Sequence, residues 1–181
     1  MDVDQVIVCE FVEDFKNPVL NQVEKTYNDS FPEGERRAFS LIRDLVKDNS
    51  NFHVFAVYRE DVYVGFITAW TFDGFTYIEH FAIDEAARNG GIGGKVLGRF
   101  LSEIKTPVVL EVELPTEEMS RRRIGFYERL GFKLDNHVYF QPPYRQGESF
   151  IEMRLMTHGD IDLGKSFELV KNNIHKQVYG Q

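Results

Sequence analysis

Residues 88–97, RNGGIGGKVL, place four glycines within five positions and then continue into a helical pattern. Glycine loses the most conformational freedom on folding, so such a cluster indicates a tight turn or the close approach of another molecule. Val96, Leu97 and Phe100 follow at helical spacing. A helix that begins here leaves its first N–H groups without partners and carries partial positive charge at that end. The stretch therefore predicts a strand-to-helix loop that can hold a phosphate group.

Composition excludes several other classes of protein. The chain has 181 residues, 43% of them hydrophobic, which is enough for the core of one domain. Its formal charge of -8 argues against a nucleic-acid partner. The single cysteine, Cys9, excludes a disulfide framework or a zinc site of several thiolates, so no metal is expected. No segment is apolar enough to span a membrane and the N-terminus is acidic, so we expect a cytoplasmic protein without a membrane partner.

Residue patterns predict a mixed α/β fold. Strands are predicted at 6–12, 51–58, 62–70, 75–84, 108–114, 132–140 and 149–157, and helices near 18–27, 39–46, 93–105, 117–130 and 160–178. The first strands form an antiparallel meander, and the glycine loop with its helix makes a parallel crossover to 108–114. The sequence thus predicts a mixed, mostly antiparallel central sheet with one parallel crossover and flanking helices.

Two common phosphate-binding loops do not fit the glycine cluster. A Walker loop needs Ser or Thr directly after its lysine, whereas Lys95 is followed by Val96. The dinucleotide-binding fingerprint needs its third glycine at the position of Val96, and no acidic ribose ligand is evident at the end of the next strand. The pattern R/Q-x-x-G-x-G/A, by contrast, fits Arg88 through Gly93.

Two ordered motifs make the chain resemble the GCN5-related N-acetyltransferase (GNAT) superfamily. Arg88-Asn89-Gly90-Gly91-Ile92-Gly93 is similar to the pyrophosphate loop of that superfamily, and the FYxxxGF segment at 126–132 is similar to the segment that carries its active-site tyrosine. The resemblance covers residues 5–157. We therefore expect a GNAT domain at 1–157 and a C-terminal extension at 158–181, a short helix packed on the same domain.

The resemblance implies the acyl-CoA N-acyltransferase fold and acetyl-CoA-dependent N-acetyltransferase activity. The acetyl group would pass to a primary amine by direct attack on the thioester, and the acceptor would be an unidentified small-molecule or peptide amine. A homodimer is compatible with this reading. Two alternatives stay open: the glycines form a tight turn that binds no ligand, or the protein is a non-catalytic acyl-CoA-binding module of the same fold.

The resemblance assigns the coenzyme to two adjoining segments. The pantetheine arm would pair with the backbone of the strand before the loop, and the pyrophosphate with the loop N–H groups. A further contact is expected at the start of the next helix, where Ser120 replaces the Asn of many members of the superfamily. The expected coenzyme-binding residues are Phe81, Ala82, Ile83, Arg88, Asn89, Gly90, Gly91, Gly93, Gly94 and Ser120.

Acetyl transfer to an amine requires a base for the amine proton and an acid for the departing thiolate. Tyr127 resembles the acid of the superfamily, and its alternative role is that of a core aromatic. Glu79 is the expected base, because it interrupts an apolar strand and alternation places it on the face of the coenzyme-pairing residues. Its alternative is a salt-bridged strand residue, and Glu111 and Glu113 on the next strand are rival bases.

The acceptor side is less well defined by the sequence. By analogy with the superfamily, the acceptor would enter over the first two helices and the last hairpin. The residues concerned are Phe31, Pro32, Tyr139, Gln141, Pro142, Pro143 and Tyr144. Aromatic and proline residues build a rigid pocket wall, but they equally build a well-packed loop. Negative charge favours a cationic amine, and Arg145 is available for an acceptor that carries a carboxylate.

Overall fold

The computed structural model describes residues 6 to 181 of the chain. Within that range, strands and α-helices follow one another in the order expected from the sequence. In chain order they are β1 (Ile7–Phe11), α1 (Val19–Ser30), α2 (Phe39–Asp48), β2 (Phe52–Arg59), β3 (Val62–Phe72), β4 (Phe75–Ile83), α3 (Ile92–Glu103), β5 (Val108–Glu113), α4 (Glu118–Arg129), β6 (Lys133–Leu134), β7 (Tyr139–Gln141), β8 (Ile151–His158) and α5 (Leu163–Val178). No helix within these residues combines the length and apolar character needed to cross a bilayer.

The chain forms two compact units. The first comprises the residues up to Thr71 together with Ile78–Lys105. The second comprises Phe72–Tyr77 together with Thr106–Gln181. The first residues of β4 therefore belong to the second unit, and the rest of that strand belongs to the first.

The first unit contains the predicted antiparallel meander. β1 pairs with β2, β2 pairs with β3, and β3 has β4 as its next neighbour. Glu60 and Asp61 join β2 to β3 with left-handed φ angles of 49° and 65°. Two such residues make the hairpin turn whose twist matches that of the flanking strands. The antiparallel connection predicted between the strands at 51–58 and 62–70 is thus confirmed.

Helices of the first unit pack on this meander through apolar stripes. Leu20, Val23 and Tyr27 recur at helical spacing on α1 and are fully buried. The ring of Phe100 on α3 packs edge-on against Phe55 of β2, with 5.1 Å between centroids. Burial of each such side chain contributes about 1.5–3 kcal/mol, so these stripes hold α1 and α3 in place.

Gly65 allows β3 and β4 to approach closely. A Cβ atom at this position would collide with the backbone carbonyl of Ala82 on β4. Because backbone atoms cannot move aside as a flexible side chain can, only glycine fits here. Gly65 therefore helps to position Ala82, one of the residues expected to pair with the coenzyme.

The second unit contains the parallel crossover strand. β5 runs parallel to the start of β4 through two pairs, Thr76–Val108 and Tyr77–Val109. On its other side β5 pairs antiparallel with β8 along its whole length, and β8 also pairs with β6 and β7. With helices beside a mostly antiparallel sheet that has one parallel pair, the predicted fold class is confirmed.

The C-terminal extension holds α5, a helix of 16 residues in the second unit. Asp162 caps it, since its Oδ1 accepts a hydrogen bond from the Gly164 N–H at 2.9 Å. An apolar stripe along the helix is buried. Its members are Leu163, Phe167, Val170, Ile174 and Val178. Residues at these intervals share one face of a helix, so α5 is anchored along its full length.

One predicted strand is wrong. The pattern at 132–140 predicts a continuous strand, whereas β6 is limited to Lys133–Leu134 and β7 begins only at Tyr139. Between them the Asp135 side chain accepts a hydrogen bond from the His137 N–H at 2.9 Å. Such a local bond from side chain to backbone competes with strand pairing. The break leaves Tyr139 and Gln141 on a separate short strand.

Candidate active site

The second half of β4 offers an unpaired strand edge. Within the described residues, β4 pairs with β5 at Thr76 and Tyr77. From Ile78 onward, β3 is the strand neighbour of β4 within residues 6–181. Phe81, Ala82 and Ile83 lie in this stretch. Backbone groups of a strand edge can pair with an extended ligand, which is the role expected of these residues. The Ile83 carbonyl already accepts a hydrogen bond from the Arg88 side chain.

The glycine loop presents a row of unengaged backbone donors. Gly90 and Gly91 have left-handed φ angles of 64° and 71°, and Gly91 directly precedes the first residue of α3. The N–H groups from Asn89 to Gly93 donate to no acceptor among the described residues. A Cβ atom at Gly90 or Gly91 would meet nothing within 4 Å. Open space before unengaged donors at a helix N-terminus is suited to a phosphate group.

Two groups of the loop are engaged within the protein. The Arg88 Nε donates to the Ile83 carbonyl at 3.0 Å, and its Nη2 donates to the Ser30 hydroxyl at 3.2 Å. The Gly94 N–H donates to the Gly91 carbonyl at 3.1 Å. The Arg88 side chain therefore fastens the loop to the end of β4. Coenzyme binding by Arg88 and Gly94 stays a prediction.

Glu79 is buried and has two partners. Its side chain is 0% exposed, and it forms an ion pair with the guanidinium of Arg37. Its Oε2 accepts a hydrogen bond from the Trp70 indole N–H at 2.7 Å. Arg37 lies between α1 and α2, so the ion pair ties this connection to β4. The salt bridge that the sequence left open as an alternative is observed. The role of Glu79 as base stays a prediction.

Tyr127 lies in the last turn of α4 among aromatic rings. Its centroid is 5.2 Å from that of Phe126 and 5.5 Å from that of Phe132. Burial raises the pKa of the Tyr127 hydroxyl, and the positive charge of Arg123 partly opposes this. No hydrogen bond from the described part of the chain engages that hydroxyl. A protonated, unengaged phenol is a suitable general acid.

Ser120 borders a pocket of about 260 Å³ in the second unit. Its lining residues are Glu113, Leu114, Thr116, Glu117, Ser120, Ile151, Glu152 and Met153. Ser120 does not cap α4, because the cap position is held by Glu117. The rival base Glu113 is 44% exposed here and lies 3.5 Å from the Arg123 guanidinium.

Glu111, the other rival base, is held by neutral donors. Its carboxylate accepts hydrogen bonds from the Tyr139 hydroxyl, the Gln141 amide at 2.5 Å and the Tyr179 hydroxyl at 2.8 Å. The Tyr77 hydroxyl is a further donor. Burial raises the pKa of the Glu111 carboxyl, and these donors oppose the rise without cancelling it. A carboxyl with a raised pKa can exchange a proton closer to neutral pH.

Sequence reasoning missed Arg37, Trp70, Tyr77 and Tyr179 as partners of the candidate bases. Trp70 and Tyr77 lie within apolar strand patterns, which gave no sign of a polar task. Nothing in the sequence separates Arg37 from the other basic residues. Tyr179 follows the apolar residues of the predicted C-terminal helix, which indicate packing alone. Of the expected site residues, Glu79, the β4 edge and the glycine loop lie in the first unit, and Ser120 and Tyr127 lie on α4 of the second.

The sequence model described as "Acetyltransferase (GNAT) family" matches residues 19–132 of this chain. The matched region contains the β4 edge, the glycine loop and Tyr127. The chain belongs to the GNAT family. The family and the names of its relatives support acetyl transfer as the general activity of this GNAT protein.

Its relatives include a solved structure described as "Putative acetyltransferase from GNAT family from Bacteroides thetaiotaomicron". That protein is 43% identical, with a TM-score of 0.87, and the alignment covers 89% of this chain and 92% of the other. The Bacillus subtilis (strain 168) protein "Putative acetyltransferase YjbC" is 29% identical over 117 residues. This match spans 63% of the GNAT chain and only 57% of YjbC.

A more distant structure shows the fold alone. Arabidopsis thaliana Naa50, solved in complex with the bisubstrate analogue CoA-Ac-MVNAL, is 18% identical with a TM-score of 0.59. The alignment covers 85% of this chain and 99% of that one. Fold likeness at this identity does not carry over the roles of single residues.

Proposed function

We propose that this GNAT protein is an acetyl-CoA-dependent N-acetyltransferase that acts on a primary amine. The observation that carries the proposal is the row of unengaged N–H groups from Asn89 to Gly93, which follows the free edge of β4 and opens α3. A linear coenzyme with a pyrophosphate and an amide-bearing arm needs both features in this order. Membership of the GNAT family supports an acetyl group as the group that is transferred.

The residues present fit the coenzyme. Phe81, Ala82 and Ile83 would pair through their backbones with the pantetheine arm, and the loop N–H groups would bind the pyrophosphate. Open space at Gly90 and Gly91 leaves room for close approach. Naa50, a structural neighbour with the same fold, is solved with an analogue that contains CoA.

When bound, acetyl-CoA supplies an activated thioester carbon. Tyr127 would donate its phenolic proton to the sulfur as the carbon–sulfur bond breaks, and it would recover a proton from solvent. Its raised pKa keeps that proton in place until it is needed. The base predicted from the sequence is Glu79, whose carboxylate is engaged by Arg37 and Trp70. Ser120 would contact the coenzyme from α4, beside its pocket.

The acceptor would be a cationic small molecule or the amine of a peptide. Glu113, Glu117 and Glu152 line the pocket beside Ser120, and the whole chain has a formal charge of -8. Arginines pair with two of these residues, Glu113 and Glu152. Negative potential raises the local concentration of cations and speeds their association. Naa50, of the same fold, is solved with an analogue in which CoA, an acetyl group and MVNAL are joined.

The test combines coenzyme binding with turnover. Isothermal titration with acetyl-CoA should show saturable binding, and a thiol-release assay over a panel of polyamines, amino sugars, amino acids and peptides should identify an acceptor. Gly91→Glu should abolish binding, because it places a carboxylate in the proposed phosphate seat. Gly74→Glu is the matched control, since both glycines have positive φ and open space around the added Cβ.

Three outcomes contradict parts of this proposal. Binding without thiol release on any amine would identify a non-catalytic acyl-CoA-binding module. Retained coenzyme binding in Gly91→Glu would remove the phosphate-seat assignment. Undiminished turnover in Tyr127→Phe, on an amine that the wild type acetylates, would remove the acid role of Tyr127.

A further inference from the structure

Two hydroxyl-bearing residues of α1 hold the segment that leads into the glycine loop. Thr26 and Ser30 are four positions apart, so they lie one turn apart on the same face of the helix. The Thr26 hydroxyl donates to Oδ2 of Asp84 at 2.9 Å. The Ser30 hydroxyl accepts a hydrogen bond from Nη2 of Arg88 at 3.2 Å. Together these bonds form a two-point contact between α1 and residues 84–88 within the first unit, the α1 clamp.

Thr26 is the buried end of the α1 clamp. It is 1% exposed, and its hydroxyl accepts a hydrogen bond from the Tyr63 hydroxyl at 3.1 Å. Of its two acceptors, Oδ2 of Asp84 is closer than the Gln22 carbonyl, which is 3.2 Å away. The Asp84 backbone N–H donates in turn to the Val64 carbonyl of β3 at 2.9 Å. This connected network fixes Asp84 against the packed interior of the first unit.

The engaged backbone ends where the unengaged donors begin. Glu85–Ala87 form a short 3₁₀ turn that the Asp84 side chain caps at its N-terminus. The Arg88 N–H donates to the Glu85 carbonyl at 3.3 Å. Beyond it, the N–H groups from Asn89 to Gly93 donate to no acceptor in the part of the chain that the structure describes. The α1 clamp therefore holds the residues that directly precede the proposed phosphate seat.

The glycine loop needs such support, because its own residues do not pack. A Cβ atom at Gly90 or Gly91 would meet nothing within 4 Å. Glycine has the widest choice of backbone conformations, so an unsupported loop loses the most entropy when a ligand orders it. On its far side the loop is held by α3, through the buried side chain of Ile92. On its near side the anchor is the Arg88 side chain, which α1 holds through Ser30.

We propose that Thr26 and Ser30 are positioning residues for coenzyme binding, which hold residues 84–88 so that the loop N–H groups keep the arrangement that fits a pyrophosphate. This inference rests on the proposed N-acetyltransferase function. Neither hydroxyl bonds to the coenzyme. Donors that are already ordered need no further ordering when the ligand binds, so the α1 clamp lowers the Kd of acetyl-CoA.

Arg88 links α1 to the loop by its geometry rather than by its charge. Its guanidinium donates through Nε to the Ile83 carbonyl and through Nη2 to the Ser30 hydroxyl at once. A lysine ammonium is a single point charge and does not reproduce this fork. Arg88→Lys therefore keeps the positive charge but loses the link. A direct bond from Arg88 to phosphate would instead survive in Arg88→Lys and be lost in Arg88→Met.

The experiment compares two ligands and one property of the free protein. Isothermal titration gives the Kd of acetyl-CoA, and NMR shift titration gives that of S-acetylpantetheine, which carries the arm but no pyrophosphate. Relaxation of ¹⁵N in the Gly90 and Gly91 amides measures the order of the loop without any ligand. The variants are Thr26→Val, Ser30→Ala, Arg88→Lys and Arg88→Met.

We expect Thr26→Val and Ser30→Ala to raise the Kd of acetyl-CoA about threefold and Arg88→Lys to raise it about tenfold, since they remove one and two hydrogen bonds. The order of the loop amides should fall in the same variants, and the Kd of S-acetylpantetheine should not change. Ser30→Thr keeps the hydroxyl and should match the wild type. Ser40→Ala on α2 is the matched control, because no described residue forms a hydrogen bond with the Ser40 hydroxyl.

Four other outcomes overturn the inference. An unchanged Kd of acetyl-CoA in Thr26→Val and Ser30→Ala would show that α1 does not support the loop. An equal loss of affinity for acetyl-CoA and S-acetylpantetheine would show damage to the whole unit. Retained affinity in Arg88→Lys, with loss in Arg88→Met, would make Arg88 a phosphate contact. A wild type that binds no acetyl-CoA overturns the proposed function itself, and the coenzyme role of the α1 clamp with it.

Discussion

Two glutamates, one in each unit, are held by opposite kinds of partner. Glu79 in the first unit forms an ion pair with Arg37. Glu111 in the second unit accepts hydrogen bonds from neutral donors, among them Tyr139 and Tyr179, and has no cationic partner within the described residues. A guanidinium compensates the carboxylate charge directly, whereas neutral donors stabilise it only in part. Glu79 is therefore compensated by a full positive charge, whereas Glu111 is stabilised by neutral donors alone.

This difference shows that burial alone does not identify a catalytic base. Both residues interrupt apolar strands, and the sequence favours Glu79 as the base with Glu111 as a rival. The chemistry of the partner separates them. An arginine partner makes Glu79 suited to anchoring the connection between α1 and α2. Neutral partners leave the pKa of the Glu111 carboxyl raised.

The largest expected effect is on the ion pair. Arg37→Met leaves the carboxylate of Glu79 buried without its cation, and we expect the free energy of unfolding to fall by about 3–5 kcal/mol. Urea denaturation of both proteins measures the difference. The double variant Arg37→Met/Glu79→Gln is the control and should recover part of the loss. A loss below about 1 kcal/mol in Arg37→Met would show that the pair behaves as an exposed one.

The next effect separates the two glutamates by kinetics. We expect Glu79→Gln to lower kcat about 100-fold on a working acceptor, because the sequence predicts Glu79 as the base and a general base contributes at least that much. Glu111→Gln should retain a larger fraction of the wild-type kcat. Both are measured by thiol release at a temperature where the variants are folded. The reverse ranking would move the base role to Glu111.

A smaller effect is the pH dependence of stability. The pKa of Glu111 is raised in the folded protein, so folding favours its protonated form. Its contribution to stability is greatest below the unfolded pKa of about 4.3, and it is lost as pH rises towards the folded pKa. The free energy of unfolding of the wild type, minus that of Glu111→Gln, should therefore fall over this window. A difference that is constant with pH would show that the pKa of Glu111 is not raised.

The smallest effect is that of an exposed ion pair. Lys25 and Asp29 form a pair at 2.8 Å on the surface of α1, with side chains 67% and 48% exposed. Lys25→Met should lower the free energy of unfolding only slightly, and added salt should reduce that cost further. Urea denaturation at low and high salt measures both quantities. If Lys25→Met lowers the free energy of unfolding as much as Arg37→Met does, burial is not the reason why the two ion pairs differ.

Much of the fold could be predicted because it depends on neighbours in the chain. The glycine loop opens α3 as expected, and Gly131 follows α4 with a left-handed φ of 91°. The strand predicted at 132–140 failed for an equally local reason that the pattern did not weigh, the bond from the Asp135 side chain to His137. The candidate coenzyme-binding residues of the loop could also be proposed from the sequence, since a phosphate-binding loop is a continuous segment of the chain.

The sequence by itself determined the order of the elements, the glycine loop and the tyrosine motif of α4, because each rests on the periodicity or backbone freedom of adjacent residues. Only the tertiary structure decided which glutamate received which partner. Arg37 is 42 positions from Glu79, and the donors to Glu111 lie 28, 30 and 68 positions away. Burial and hydrogen bonding act through space, so the proton affinity of a carboxylate is set by segments that meet only when the chain folds.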